Sequence, residues 1–199
     1  LVRHIMSISN PLSHHFRFMA FYHQHCTVRL INSLQQQPLE FFQQDAKLYF
    51  NSIHGTMAHL LGGEEIWMER LSGYPTPDLI STIVPIYSLE PPKAIGLAWE
   101  GRSPNQEQLF HQLIQMCAAW TELLKDKDDD WCLSKAKYND TSGVEMELVR
   151  ASGLSQVFNH GTHHRGQVSA AYAQFGKAAE CPSFDLQSME EKFHDYASK

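Results

Sequence analysis

Between residues 105 and 126, Leu109, Leu113, Met116, Trp120 and Leu123 recur at steps of four, three, four and three. That rhythm returns every side chain to one face of a 3.6-residue helix and offers no strand a consistent buried side. Three other segments share the period: Met19, Tyr22, Cys26 and Leu30 within 14–36, then Ile53, Met57, Leu60, Trp67 and Leu71 within 45–72, and a fourth stripe over 153–176. Glu64 interrupts the second stripe. Ser152 is the expected N-cap of the fourth helix and Gly176 its C-terminal stop. Wide apolar stripes on four separate segments predict an all-α chain folded as a four-helix bundle.

The connections narrow the topology. "GYPTPDLISTIVPIYSLEPPKAIGLAWEGRSP" (73–104) holds Pro75, Pro77, Pro85, Pro91, Pro92 and Pro104, which exclude one long helix. An irregular crossover along the bundle is expected there, as an up-up-down-down arrangement requires. Before the fourth helix, Val144, Met146 and Leu148 alternate with Glu145 and Glu147 after "KAKYNDTSG", predicting a small β-hairpin that turns near 139–143. Leu186, Met189, Phe193 and Tyr196 predict a short amphipathic helix docked on the bundle. Residues 13–199 are expected to form a single domain. Residues 1–12 read as a disordered lead-in, with Met6 a plausible start and Leu1 to Ile5 set aside.

Sixteen Lys and Arg against 22 Asp and Glu leave the chain acidic, which argues against a protein that tracks nucleic-acid phosphates. No apolar run approaches the roughly 20 residues of a membrane span. Cys26, Cys117, Cys132 and Cys181 are widely separated and form no C-x-x-C, so buried free thiols in a reducing cytoplasm are expected.

"FNHGTHHRGQVSAAYAQFG" (158–176) carries the chemistry. On a helical wheel His160 and His164 fall about 40° apart inside the apolar stripe, one turn from each other, while His163 lies at its edge. A buried, unsatisfied polar group costs on the order of 1–3 kcal/mol. A divalent metal satisfies both rings at once, and His at i and i+4 is a helical chelate spacing. The plain alternative is a pair of hydrogen-bonded core histidines. A third ligand has to come from another helix, and the second offers His54 and His59, about 140° apart. The small flank of Ser52, Thr56 and Gly63 beside His59 leans toward His59 without deciding the choice. Glu64 is a further oxygen able to coordinate, act as a base or orient a ring. His4, His14, His15, His23, His25, His111 and His194 are expected at the surface or its boundary. There is no H-E-x-x-H, because Gly161 follows His160, and neither a G-x-S-x-G elbow nor a P-loop occurs.

"NSIHGTMAHLLGGEEIWMERLSG" (51–73), "VFNHGTHHRGQVSAAYAQFG" (157–176) and the closing "CPSFDLQSM" resemble the DinB-like, damage-inducible family, within the DinB/YfiT-like metalloenzyme superfamily that includes thiol-dependent transferases. The resemblance covers nearly the whole chain. It implies an up-up-down-down four-helix bundle, a homodimer, and a divalent metal held by three histidines, which map onto His59, His160 and His164. One departure stands in the first helix, where the family's Tyr-Asn-x-Trp-x-Asn is replaced by "YHQHCT". His25 takes the Trp place and Thr27 the second Asn place, positions that frame the cavity beside the metal in the family.

Three neutral imidazoles suit zinc or nickel, and also iron, and leave a coordination direction open. The expected function is a cytoplasmic metal-dependent enzyme that transfers a low-molecular-weight thiol or hydrolyses a small molecule, with Glu64 and His163 as candidate catalytic groups. The alternative is a non-catalytic stress-related protein in which the metal only cross-links helices. Neither nucleic acid nor membrane is an expected partner.

Overall fold

The computed structural model describes residues 9–73, 79–90, 92–140 and 142–197. Nine helices and one two-stranded sheet are found among them, in the order α1 (Pro11–Leu34), α2 (Leu39–Gln43), α3 (Ile53–Ser72), α4 (Leu79–Tyr87), α5 (Pro92–Arg102), α6 (Gln106–Leu124), α7 (Asp129–Leu133), β1 (Lys135–Asn139), β2 (Glu145–Val149), α8 (Arg150–Gln174) and α9 (Glu190–Ala197). The four long helices are α1, α3, α6 and α8, matching the four periodic segments. Each of α1 and α3 packs on both α6 and α8. Among the described residues no helix is long and apolar enough to cross a membrane.

Local chemistry sets the ends. Pro11 opens α1, where its missing N–H is no loss. The helix thus begins inside the stretch expected to be a disordered lead-in, and residues 1–8 of that stretch lie outside the described residues. Ser52 caps α3 by accepting from the Gly55 N–H, and Gly73 closes it at φ +76°. The expected start near 45 is too early, because Lys47 and Asn51 both take positive φ and break the helical path. The last long helix starts two residues before the expected cap at Ser152. Strand β2 runs straight into it, and the Arg150 N–H is satisfied by the Ser134 carbonyl rather than by a side chain. Gly176 ends its C-terminal turn at φ +72° as expected.

The crossover is more ordered than its prolines imply. Pro92 stands at the first position of α5, and α4 accommodates Pro85 internally. Pro75, Pro77 and Pro91 lie outside the described residues. The hairpin pairs Lys135 with Val149 and Asn139 with Glu145. Its turn is held by Asp140 Oδ1, which accepts from the Ser142 and Val144 N–H groups. In α9, Phe193 is buried against Phe18 and Phe21 of α1, and Met189 is buried just before it, while Leu186 and Tyr196 remain exposed.

Two apolar clusters organise the interior. One holds Leu30, Ile53, Leu60, Trp99, Leu109 and Tyr172. The other holds Phe16, Leu71, Trp120, Leu124, Leu154 and Phe158. Each long helix passes through both, and the order gives its direction. Helices α1 and α8 run from the second cluster to the first, whereas α3 and α6 run from the first to the second. The chain order is therefore up-down-down-up, which corrects the expected up-up-down-down. The physical reason lies in the connections. The segment between α1 and α3 buries Phe41 and Phe42 in the cluster where α1 ends, so the chain turns back immediately. Only the crossover through α4 and α5 travels the length of the helices.

A layer of polar side chains separates the clusters, and glycines make room for it. A Cβ on Gly161 would lie 2.4 Å from His23 Cε1, whereas one on Gly166 would meet nothing within 4 Å. Gly161→Ala should therefore destabilise the fold by about 1–2 kcal/mol despite its better helix propensity, and Gly166→Ala should stabilise it by about 0.5–1 kcal/mol. Urea denaturation of the two variants checks the opposite signs.

Candidate metal centre

Helix α3 carries His59 and α8 carries His160 and His164 into this polar layer. Their side chains form the only group of three or more His, Cys, Asp or Glu with metal-holding spacing among the described residues. The Nε2 atoms of His59 and His160 are 3.1 Å apart, and those of His160 and His164 are 2.9 Å apart. In a tetrahedral site with Zn–N bonds of about 2.0–2.1 Å, ligand nitrogens are separated by about 3.3 Å. These two spacings fall close to that value, and all three ligand atoms lie within 4.8 Å of one another.

Three neutral rings cannot satisfy one another in this arrangement. His160 Nε2 has either a proton or a lone pair, so it makes one hydrogen bond, yet two other Nε2 atoms face it. A cation accepted by all three lone pairs resolves the conflict. Orientation favours that outcome. His164 Nδ1 donates to Gln167 Oε1 at 2.8 Å, which leaves the Nε2 lone pair directed at the cluster. His59 stacks on Phe50 with ring centres 4.0 Å apart and meets the edge of Trp99. The Tyr87 hydroxyl stands 3.5 Å from His59 Nδ1. His160 rests against Gly63. His59 and His164 are buried, while His160 keeps partial contact with solvent.

The other candidates occupy different places. His54 is buried on Phe42, and its Nε2 donates to the Ser103 carbonyl at 2.7 Å, so the choice left open by spacing falls to His59. Exposed His163 reaches Gln167 with its Nε2 at 3.2 Å and does not join the three. Glu64 is fully buried, yet it orients none of the clustered rings. One of its oxygens accepts from Trp120 Nε1 and the other lies 3.0 Å from His23 Nε2. His25 stacks with Phe21, and Thr27 is buried.

His23 is the main correction. Expected at the surface, it is buried at 1% exposure in the centre of the polar layer. Arg165 Nη1 lies 2.9 Å from its Nδ1, and Arg165 Nη2 donates to Thr162 Oγ1. Burial lowers the proton affinity of His23, and Cys117 and Glu64 raise it by more. A guanidinium can only donate, however, so it occupies the lone pair that a second proton would need. The Arg165 contact therefore favours a ring whose proton lies on Nε2, toward Glu64. Among the other histidines expected near the surface, His14, His15, His25, His111 and His194 are there, and His4 lies outside the described residues. Cys26, Cys117 and Cys132 are buried free thiols, and Cys181 is half-buried.

Residues 8–193 match the sequence profile of the DinB family. The chain belongs to the DinB family. Within it, the chain is 25% identical over 160 residues to Protein DinB of Bacillus subtilis (strain 168), covering 79% of this chain and 84% of that protein. No solved structure matches the chain significantly. Family membership and the histidine cluster together fit a metal-binding protein.

Burial, then the neighbouring histidines, lower the pKa of His59 to about 2, and burial and His160 lower that of His164 to about 3. His160 is lowered as well, mainly by burial, with Glu64 opposing. The rings are thus unprotonated at neutral pH, the form a metal requires. In the unfolded chain they take up protons as pH falls through about 6.5, and in the folded chain they do not. Metal-stripped protein should therefore lose stability progressively as pH drops from about 6.5 toward 3, with no contribution from these rings above that window. The urea midpoint should fall between pH 7 and pH 5, and His164→Gln should flatten the dependence; a midpoint rising toward acid would contradict the assignment.

Proposed function

We propose that this DinB-family chain is a divalent-metal enzyme of the thiol-transferase or small-molecule hydrolase type, with His59, His160 and His164 as the metal ligands. The observation that carries the reading is the convergence of three Nε2 atoms from two helices, one of them fixed in tautomer by Gln167. Zinc or nickel is the resident ion, since three imidazoles suit both. A bound ion supplies Lewis acidity, which polarises a substrate atom or lowers the proton affinity of a thiol or water.

The chain's own residues do the rest. Phe50 and Trp99 keep water away from His59, and the partly exposed edge of His160 marks the side on which a small molecule approaches. His163, in solvent and joined to His164 through Gln167, is the group placed to pass a proton outward. Glu64 serves the helix packing instead. The four long helices form the bundle that supports this centre, in a cytoplasmic homodimer.

Elemental analysis of protein purified without a polyhistidine tag should find about one zinc or nickel per chain, and His59→Ala or His164→Ala should abolish it. Because the interior is already well filled, chelation should lower the melting temperature by only a few degrees; a collapse of about 20 °C or more would favour a purely structural ion. Holoprotein mixed with a low-molecular-weight thiol and a chromogenic electrophile should turn over faster than the free metal. The His160→Ala variant should return the rate to that background.

A further inference from the structure

The face of α3 that carries His59 continues through Gly63 and Ile66 to Arg70. At about 100° per residue, His59 and Arg70 differ by about 20° around the helix and by about 16 Å along it. The Arg70 side chain recovers part of that distance, because helical side chains lean toward the N-terminus. It borders a cleft of about 270 Å³ between Ile66, Glu69 and Arg70 of α3 and Lys137, Tyr138 and Asn139 of β1.

Arg70 is unlike the other arginines among the described residues. Arg102 pairs with Glu65, Arg165 with His23 and Thr162, and Arg17, Arg29 and Arg150 donate to carbonyl oxygens. Arg70 has no ion pair and no hydrogen bond with any described residue, and its Nε is buried without an acceptor. Its guanidinium is nevertheless held in place, 5.1 Å from the ring centre of Trp67 and 4.6 Å from that of Tyr138. Burial works against its charge, and Tyr138, Asp140, Glu69 and Tyr87 support it. Tyr87 is the residue whose hydroxyl stands beside His59. A positioned, half-buried guanidinium whose Nε finds no acceptor among the described residues, on the same helix face as the histidine cluster, is built for a ligand.

We propose that Arg70 anchors an oxyanion, a carboxylate or a phosphate, carried by the small-molecule substrate whose reacting end lies at His59, His160 and His164. Planar guanidinium recognises both oxyanions through two parallel hydrogen bonds. Lys137, exposed and 3.5 Å from Glu145, adds positive charge at the rim. Glu69 Oε2, also buried without a partner, accepts from an amine or hydroxyl on the same ligand. The placement of the reacting end rests on the proposed metal centre, whereas the anion anchor does not.

The test titrates inorganic phosphate, and separately succinate, into the full-length holoprotein at constant ionic strength set with sodium chloride. The Arg70 Nε–Hε resonance reports directly on the guanidinium. We expect a saturable shift with at least one of the two anions, and the stronger identifies the oxyanion. Read from the backbone amide resonances of Lys137 and Tyr138, which persist when the arginine is replaced, Arg70→Gln should weaken binding about tenfold or more, Arg70→Lys should weaken it less, and stripping the metal should leave it in place. A resonance that does not move beyond the chloride control overturns the proposal. So does binding that survives in Arg70→Gln and disappears with the metal, since the anion then sits at the histidines. Metal content measured on the same samples tells a failed anchor apart from a failed metal centre.

Discussion

Arg165, His23, Glu64 and Trp120 are each almost fully buried, and each comes from a different long helix. Arg165 donates to His23, Trp120 donates to Glu64, and the His23 imidazole touches the Glu64 carboxylate. The set joins a guanidinium to a carboxyl group through the imidazole between them. Any single member left alone would be an uncompensated polar group in a low dielectric, which is why removing one partner of such a set is far costlier than never having built it. The four helices are therefore locked together in rotation and in register at mid-height, between the two apolar clusters.

The histidine centre depends on that lock. His160 and His164 immediately precede Gly161 and Arg165 on α8, so the rotation that points Arg165 at His23 also aims the two imidazoles at α3. On α3, Glu64 is five residues beyond His59 and fixes that helix by its contacts with α1 and α6. Gln167 and Phe50 then settle the ring orientations. Three basic nitrogens converge without charging because they sit away from water, as their lowered proton affinities record.

Much of this was legible in the sequence. Helical period located α1, α3, α6 and α8, alternation located the hairpin, and angular position put His160 and His164 on the buried face. His23 was missed although its signal was present. Phe16, Ala20, His23, Thr27, Leu30 and Leu34 recur at steps of four and three, and all are buried. A stripe with two polar members in its middle is easily passed over for the neighbouring Met19, Tyr22, Cys26 and Leu30. Helix direction was not legible, because periodicity describes a face and is blind to sense; it emerged only from which end of each helix joined which cluster. Arg70 was visible as a residue, but its lack of an acceptor among the described residues is a property of the assembled cleft and is written in no local pattern.

Gly63 sets how near the two ligand-bearing helices stand. A side chain there would begin 2.8 Å from His160 Cε1, so the bare backbone of one rod acts as the seat for an aromatic ring projecting from the other. In the proposed metal centre the bite of the chelate would depend on interaxial spacing as well as on ring orientation, and such sites tolerate errors of only about 0.5 Å. Selection among ions of different radius at such a centre would then follow from how closely two main chains are permitted to approach, and the absence of a single carbon atom at position 63 sets that approach.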